Sequence, residues 1–404
     1  MKNFFASCPR GLEETLNQEA TRFNFNHVEI TRGGLNFKTT PLNAINFLLE
    51  TRVASRVYKE IGSFDFRNEK DLAKNAMQIP WTKILNPDDT IKITSLFSRE
   101  VMGKFKNSHY LSLLLKDAIV DTFVEKAGKR PSIDLDHPNF PLLLRIEPSP
   151  KKGELRGIVS VDLAGHSLHL RGYRASGHEA PIKENLAAAL LMNTSWNKEV
   201  PLYDPFCGSG TFLLEGAMMR YQIAPTYIKL LNRKEGHYSF AFERQKWFQK
   251  DQAIKQPFEN LCEELIARAK NGISNAGVGE FHGSDIVADP IGMLMEAWQT
   301  IGLPRKSLRI NVINALDVQP DDNFSNGVLI TNPPYGVRLE EKDEKLEKLY
   351  YDIGESLKNN WKGFNAYIIS QEAIYRKKIS LRTSMRMSFY NGSLECRLLG
   401  YELY

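Results

Sequence analysis

The feature that most constrains this chain is a short apolar run that passes directly into a glycine-rich turn, LYDPFCGSGT at residues 202–211. A buried strand that ends at a carboxylate and then reaches glycines is typical of a parallel α/β sheet, where ligands bind beyond the carboxyl ends of the strands. The glycines would let the backbone approach a ligand closely before the next helix begins. From this segment alone, an ordinary turn between a strand and a helix remains an alternative.

The residues of this glycine motif (Asp204 to Thr211) also narrow the class of ligand. A phosphate-binding P-loop needs a lysine after its last glycine, and none follows Gly210; the dinucleotide fingerprint GxGxxG is absent as well. A glycine turn preceded by an acid suits a ligand that carries positive charge and no phosphate. S-adenosylmethionine has an ammonium and a sulfonium group, and we therefore predict that it is the cofactor.

A second strand-like run, GVLIT, leads into NPPY, named here the NPPY motif (Asn332 to Tyr335). Its prolines fix an extended turn just past the strand, at the edge of the sheet where ligands bind. The side-chain carbonyl of Asn332 and the backbone carbonyl of Pro333 would accept both hydrogens of a planar exocyclic amine. Such a nitrogen is a poor nucleophile, so catalysis would come from orienting it toward an electrophilic methyl group. The predicted catalytic residues are Asn332, Pro333, Pro334 and Tyr335, the last stacked on the base. A turn without function is the alternative.

Two acids complete the predicted cofactor pocket. Asp285, in FHGSDI, would end the second strand of the sheet, where a carboxylate binds ribose hydroxyls, with Ile286 beside it. Asp317, in NALDVQ, would end the third strand and accept a hydrogen bond from the adenine amine. Taken singly, an aspartate after a strand is more often a turn residue. Their order along the chain relative to the two motifs favours the binding role.

Cysteine and histidine patterns indicate neither disulfides nor a metal. The four cysteines are far apart and form no CxxC pair, and the eight histidines show neither HxxxH nor HExxH spacing. Cys207, inside the glycine motif, is interpreted as a small spacer. No cysteine lies beside the NPPY motif, which disfavours methylation of a pyrimidine carbon through a covalent adduct. Because no apolar run reaches about 20 residues and no signal-peptide core is present, a cytoplasmic protein is expected.

The positive charge of the chain is concentrated in its first part. The formal net charge is +5, and residues 1–180, with 26 Lys and Arg against 21 Asp and Glu, carry all of it. One interpretation is a mixed solvated surface; the other is a surface that binds a polyanion. The basic run from Tyr375 to Arg386 is open to the same two interpretations.

Secondary-structure patterns divide the chain near residue 175. The first part mixes short strands and amphipathic helices, which indicates α+β modules. The second part alternates strand and helix, as a parallel α/β sheet does. It ends in MSFYNGSLECRLLGYEL, two strand-like runs around Asn391 and Gly392, which predict an antiparallel hairpin.

Four segments resemble one family: DPFCGSGT, TNPPYGVRL, GYR…APIKENLAAALL (residues 172–191) and NGSLECRLLGYEL. They are similar to the THUMP-domain-containing RNA guanine-N2 methyltransferases, and most of all to the N-terminal half of the bifunctional 23S ribosomal RNA guanine methylases. An older name for such proteins is N6-adenine-specific DNA methylase. The resemblance is dense over residues 172–404 and looser over residues 1–171, which include FFASCPRGLEETL.

The resemblance implies a fold and a domain division. Residues 172–404 would form an α/β, Rossmann-like class I methyltransferase domain with strand order 3-2-1-4-5-7-6 and a C-terminal antiparallel hairpin. Residues 1–65 would form a ferredoxin-like subdomain, and residues 66–171 a THUMP RNA-binding domain. The second catalytic domain of the bifunctional proteins is not expected in this chain.

The resemblance also implies a cofactor site. Lys183 and Glu184 fall in the segment that closes over the methionine end of the cofactor. One departure is SDIVADP, where the family usually has an acid soon after SDI and this chain has Asp289 later; Asp285 is therefore favoured as the ribose ligand. The predicted cofactor-binding residues are Lys183, Glu184, Asp204, Phe206, Cys207, Gly208, Ser209, Gly210, Thr211, Asp285, Ile286, Asp317 and Asn332.

These observations predict an S-adenosylmethionine-dependent methyltransferase that acts on the exocyclic N2 of a guanine in RNA, with 23S ribosomal RNA as the favoured substrate. The alternatives are an N6-adenine methylase, a tRNA guanine-N2 methyltransferase and a non-catalytic RNA-binding assembly factor. The basic first part is expected to bind RNA. The motifs after Gly172 are expected to bind the cofactor without it. No membrane or metal partner is expected, and the oligomeric state stays open.

Overall fold

Two sheets organise the protein. A computed structural model of the 404-residue chain describes residues 1–98, 100–101, 105, 108–174, 182–234, 237–334, 343–371 and 373–404. An eight-stranded sheet occupies the first part, and a seven-stranded sheet the second. No helix within the described residues is long and apolar enough to cross a membrane.

The first sheet begins with a compact αβ unit. One of its helices begins at Pro41 and is capped by the residue before it. The Thr40 side chain accepts a hydrogen bond from the Asn43 N–H at 3.2 Å. The elements of this unit are β1 (Lys2–Ser7), α1 (Glu13–Ala20), a 3₁₀ turn (Thr21–Phe23), β2 (Asn26–Thr31), β3 (Gly34–Thr39), α2 (Pro41–Glu50) and β4 (Arg56–Phe66).

The same sheet continues through the next unit. Strand β4 pairs with β1 near its start and with β8 along most of its length, so the ferredoxin-like and THUMP regions share one sheet of order β2-β3-β1-β4-β8-β7-β5-β6. The helix α5 ends where Gly128 takes a φ of +64°. The elements are α3 (Glu69–Ala76), α4 (Trp81–Ile84), β5 (Thr90–Phe97), α5 (Ser108–Ala127), β6 (Ser132–Ile133), β7 (Phe140–Pro148) and β8 (Leu155–Asp162).

The second sheet has the order β11-β10-β9-β12-β13-β15-β14, which confirms the predicted 3-2-1-4-5-7-6. Its first five strands are parallel, and β15 and β14 form the predicted antiparallel hairpin. Its strands are β9 (Leu202–Asp204), β10 (Phe281–Asp285), β11 (Leu308–Val312), β12 (Val328–Thr331), β13 (Asn365–Ser370), β14 (Met385–Asn391) and β15 (Leu394–Glu402).

Helices cover both faces of this sheet, as its apolar strands require. They are α6 (Glu184–Met192), α7 (Thr211–Arg220), α8 (Tyr227–Leu231), α9 (Lys246–Gln249), α10 (Gln252–Ser274), α11 (Ala288–Ile301), α12 (Asp343–Asn360) and α13 (Ala373–Lys378). Short 3₁₀ turns lie at Ala241–Arg244, Arg305–Ser307 and Ala315–Asp317.

The two parts of the chain are packed tightly together. One hydrophobic cluster runs from the first sheet into the helices of the second. The Arg52 guanidinium donates hydrogen bonds to the carbonyls of Met218 (3.1 Å) and Ile223 (2.7 Å). The side chain of the buried Asn185 donates to the Val53 carbonyl at 3.2 Å. The methyltransferase part therefore shares its core with the part that precedes it.

Candidate active site

The glycine motif is held by backbone hydrogen bonds and by two left-handed glycines. The Cys207 N–H donates to the Ser284 carbonyl at 2.9 Å, and the Gly210 N–H donates to the Cys207 carbonyl at 2.8 Å. Gly208 and Gly210 have φ values of +51° and +70°. A Cβ on Gly210 would lie 2.3 Å from the side chain of Leu294, whereas a Cβ on Gly208 would meet nothing within 4 Å. Gly210 is thus needed for packing, and Gly208 faces open space.

A hydrogen bond joins the two motifs. The Thr331 hydroxyl donates to Oδ1 of Asp204 at 2.7 Å and accepts from the Phe206 N–H at 3.2 Å. Burial raises the pKa of Asp204 to about 7, although the Thr331 hydroxyl and the Phe206 N–H act against this shift. Thr331 was not among the predicted site residues. Its only sequence signal is a hydroxyl side chain at the last position of a strand that leads into the NPPY motif.

Asn332 has the geometry expected of an acceptor that awaits a ligand. It directly follows β12, and its Oδ1 is buried without a hydrogen-bond partner among the described residues. Leaving such an atom unsatisfied costs about 1–3 kcal/mol, so a ligand that donates to it is favoured. Pro333 is buried and Pro334 is exposed. Tyr335, predicted to stack on the base, lies outside the described residues.

Asp285 ends β10 as predicted, and its carboxylate braces the glycine motif. Oδ2 accepts a hydrogen bond from the Gly208 N–H at 2.9 Å, and Oδ1 accepts one from the Val287 N–H at 3.0 Å. A carboxylate has about four lone-pair sites, so both oxygens keep capacity for ribose hydroxyls. The neighbouring Ile286 is 71% exposed, an apolar side chain left uncovered beside this carboxylate.

The prediction that Asp317 ends the third strand is wrong. Strand β11 ends at Val312, and Asp317 lies in the 3₁₀ turn beyond it, with an exposed side chain. The cause is Asn314, whose side chain accepts a hydrogen bond from the Leu316 N–H at 3.0 Å and starts this turn. The role of Asp317 toward the adenine amine stays a prediction.

Arg174 ties the helix α6 to the glycine motif, and the sequence had not singled it out. Its guanidinium forms an ion pair with Glu184 at 2.5 Å and donates to the Thr211 hydroxyl (2.9 Å) and the Ser209 carbonyl (3.3 Å). Burial raises the pKa of Glu184, and the charge of Arg174 opposes that shift. Lys183 precedes Glu184 as the exposed N-cap residue of α6.

Cys207 has the environment of a packed thiol. Burial, with the nearby Asp204 and Asp285 carboxylates, raises its pKa above the usual range. A Cβ on Gly283 of β10 would lie 3.3 Å from its sulfur, so the thiol fills the space between the motif and the sheet. A thiol that stays protonated is a poor nucleophile, which fits the spacer role.

The described residues suit S-adenosylmethionine. Open space at Gly208 admits a ligand against the backbone, and the Asp204 and Asp285 carboxylates suit an ammonium and ribose hydroxyls. The exposed Ile286 offers an apolar contact for a purine ring. A sheet of order 3-2-1-4-5-7-6 with a glycine turn after its first strand and an acid after its second defines a class I S-adenosylmethionine-dependent methyltransferase.

Comparison with known proteins names the family. Residues 171–399 match the RMKL-like methyltransferase domain, residues 3–58 the RlmL ferredoxin-like domain, and residues 66–149 the THUMP domain. The chain belongs to this family of THUMP-containing RMKL-like methyltransferases.

Individual relatives agree with this assignment. The ribosomal RNA large subunit methyltransferase K/L of Syntrophotalea carbinolica is 34% identical in an alignment of 406 positions that covers 99% of this chain and 53% of that protein. The chain thus spans about half the length of that relative. The Synechocystis sp. protein slr0064, named for RNA methyltransferase activity, is 33% identical over 401 residues, 99% of this chain and 97% of that protein. The solved structure of the methyltransferase SMU.472 with SAH is 26% identical, with a TM-score of 0.81 over 100% of this chain and 98% of the other.

Proposed function

We propose that the protein transfers a methyl group from S-adenosylmethionine to the exocyclic N2 of a guanine in ribosomal RNA, with 23S ribosomal RNA as its substrate. The observation that carries the proposal is the buried Oδ1 of Asn332, which has no hydrogen-bond partner among the residues that the structure describes and lies one residue beyond the Thr331–Asp204 hydrogen bond. An acceptor in that position is suited to an N–H donor of the substrate. The names of the relatives supply the class of RNA.

The chain's own residues account for the steps other than the supply of the methyl group. When bound, S-adenosylmethionine provides an electrophilic methyl on its sulfonium. Asp204 and the glycine motif would hold the ammonium end, and Asp285 the ribose. Asn332 and the Pro333 carbonyl would accept the two amine hydrogens and turn the nitrogen lone pair toward the methyl group. The transfer is then direct, without a covalent enzyme intermediate.

RNA binding is assigned to the first sheet and its helices. The THUMP match at residues 66–149 and the excess positive charge of residues 1–180 support this assignment. Within the described residues, three exposed cations lie in the last turn of α5 and just after it, and two more occupy the turn between β7 and β8. These cations are Lys126, Lys129, Arg130, Lys151 and Lys152. The division into residues 1–65, 66–171 and 172–404, and a cytoplasmic location where ribosomal RNA is modified, belong to the same proposal.

The test is a product analysis. Purified protein is incubated with 23S ribosomal RNA transcribed in vitro and with isotopically labelled S-adenosylmethionine, and the digested nucleosides are separated by mass spectrometry. We expect labelled N2-methylguanosine. N6-methyladenosine as the main product would overturn the guanine target, since an NPPY motif also suits adenine amines. Absence of any methylated nucleoside, with the cofactor bound, would favour the non-catalytic RNA-binding alternative.

A further inference from the structure

A cavity of about 350 Å³ opens at the carboxyl end of β13, and we name it the β13 pocket. Its size falls within the roughly 300–1,000 Å³ of small-ligand sites. It lies between the end of β13, the helix α13 and the start of β15. The polar residues that line it are Ser370, Gln371, Arg376, Ser393, Glu395 and Arg397.

The β13 pocket combines hydrogen-bond donors with an unsatisfied acceptor. Oε1 of Gln371 is buried and has no hydrogen-bond partner among the described residues. Neither Arg376 nor Arg397 forms an ion pair with a carboxylate in the part of the chain that the structure describes. Glu395 adds a second acceptor at the rim, where it receives a 3.4 Å hydrogen bond from the Tyr390 hydroxyl. The pocket therefore suits a ligand that accepts hydrogen bonds from an arginine and also donates a hydrogen bond to the amide oxygen of Gln371.

This combination distinguishes among the parts of an RNA strand. A phosphate only accepts hydrogen bonds, so it would leave the Gln371 oxygen unsatisfied and would face the Glu395 carboxylate. Guanine offers O6 and N7 as acceptors, the pair that arginine most often recognises, and N–H groups at N1 and N2 as donors. Adenine has one donor group only, the N6 amine; once Asn332 and Pro333 accept both of its hydrogens, only the bare N1 acceptor is left to face the Gln371 oxygen. The observations favour guanine.

The location of the β13 pocket fits the same ligand. Strands β12 and β13 are parallel neighbours, with Thr331 paired to Ile368, and Asn332 and Gln371 each follow directly on the end of their strand. Neighbouring strands lie about 4.8 Å apart, and Gln371 lies two residues, or about 6.6 Å, further along β13 than the position opposite Asn332, a separation that the two side chains can span. On a guanine ring N1 and the N2 amine are adjacent, so a base whose N1–H donates to Gln371 would present its amine on the side of Asn332.

We propose that the β13 pocket receives the target guanine, that Gln371 accepts its N1–H and thereby selects guanine over adenine, and that Arg397 donates to N7 and O6. This inference rests on the proposed function, because it assigns the base whose amine Asn332 orients. Arg397 lies opposite Ser370 in the β13–β15 pairing, and both residues line the pocket.

The first experiment measures base preference without methyl transfer. Guanosine and adenosine 5′-monophosphates are titrated by NMR into the full-length protein saturated with S-adenosylhomocysteine. The unmodified protein should prefer the guanosine nucleotide by about tenfold or more, and Gln371→Leu should reduce the preference to within about twofold. Gln371→Glu still has a hydrogen-bond acceptor at this position, so it should keep the preference for the guanosine nucleotide. Gln299→Leu, on the exposed face of α11, is the matched control.

The second experiment addresses the arginine. The nucleotide of 7-deazaguanosine lacks the N7 acceptor and should bind the unmodified protein about tenfold more weakly than the guanosine nucleotide. Arg397→Met should bind the two nucleotides equally, because the contact that distinguishes them is gone. If the 7-deaza nucleotide loses the same affinity in the unmodified protein and in Arg397→Met, Arg397 does not contact N7 of the guanine.

The outcomes separate this inference from the proposed function. If N2-methylguanosine forms on 23S ribosomal RNA while Gln371→Leu keeps the full preference for the guanosine nucleotide, the β13 pocket is wrongly assigned and the function stands. If no N2-methylguanosine forms but the preference depends on Gln371, the pocket stands and the function fails. A protein with no preference for guanosine over adenosine nucleotide overturns the inference.

Discussion

The Thr331 hydroxyl donates a 2.7 Å hydrogen bond to the Asp204 carboxylate, across 127 positions of sequence. Asp204 closes the strand that enters the glycine motif, and Thr331 closes the strand that enters the NPPY motif. Since β9 and β12 are hydrogen-bonded neighbours, this bond fixes the two motifs relative to each other at the edge of the sheet. In the proposed function, cofactor binding and orientation of the substrate amine both depend on this buried contact.

Asp204 should make the stability of the protein depend on pH. Burial raises the pKa of its carboxyl from 3.8 to about 7, so between these values the folded protein holds a proton that the unfolded chain has released. The stability contributed by this group is present in full below pH ~4 and is lost as the pH rises through about 7. The difference is worth about 4 kcal/mol.

Thermal unfolding of the unmodified protein and of Asp204→Asn between pH 5 and 8 checks this prediction. The variant has no titrating group at this position, so its Tm should rise relative to that of the unmodified protein as the pH increases. Parallel Tm curves over this range would show that Asp204 is ionised in the folded protein throughout.

Asn332→Ala should remove an interaction made mainly in the transition state. By comparison with loss of one oxyanion-hole donor, kcat should fall by roughly 10²–10³. Affinity for S-adenosylhomocysteine, measured by calorimetry, should change little because the glycine motif and Asp285 are untouched. Asn275→Ala, exposed at the end of α10, is the control. Full activity of Asn332→Ala would exclude the proposed mechanism.

Asp285→Ala should weaken cofactor binding for two reasons. It removes the ribose acceptors, and it leaves the Gly208 and Val287 N–H groups without their partner. Hydrogen bonds to a charged group contribute about 1.5–3 kcal/mol each, so affinity for S-adenosylhomocysteine should fall at least tenfold. The control is Asp289→Ala, whose carboxylate is exposed on the first turn of α11. Equal affinities of the two variants would rule out Asp285 as a ligand.

A fragment of residues 172–404 should fail to fold stably, contrary to the expectation from sequence that the cofactor motifs act alone. Without the first part, the fragment would lose the hydrogen bonds that Arg52 donates to the Met218 and Ile223 carbonyls. It would also expose the apolar cluster that the two parts share. Each large apolar side chain of this cluster that becomes exposed costs roughly 1.5–3 kcal/mol. Circular dichroism melts and calorimetry with S-adenosylhomocysteine test this. Cooperative unfolding with full cofactor affinity would contradict it.

The cations at the C-terminal end of α5 should control the salt dependence of RNA binding. Changing Lys126, Lys129 and Arg130 to glutamine together should reduce the slope of log K against log salt by about 2, since each single-strand phosphate contact contributes roughly 0.7. Filter binding at several salt concentrations measures the slope. A triple variant of Lys198, Lys250 and Lys270, exposed in the methyltransferase part, should keep the original slope. The reverse pattern would move the RNA surface to that part.

The class of fold and the positions of the two motifs can be predicted from local signals in the sequence. Strand and helix periods, the glycines after Asp204, the prolines after Asn332 and the turn after Asn391 are local signals, because each follows from the conformations that a few consecutive residues allow. The same local reasoning misplaced Asp317, because the chain turns after β11, where the Asn314 side chain accepts a hydrogen bond from the Leu316 N–H.

The contacts between residues far apart in sequence follow from the tertiary structure and could not be predicted from the sequence. Strand order and helix packing set the Thr331–Asp204 bond, the hydrogen bond from Gly208 to Asp285 and the ion pair of Arg174 with Glu184. They also leave the Asn332 and Gln371 oxygens without a hydrogen-bond partner in the described part of the chain. Pairing between strands far apart in sequence is set by the burial of whole faces, and no single segment encodes it. For the same reason the sequence indicates two separable parts, whereas in the folded chain one hydrophobic cluster extends through both of them.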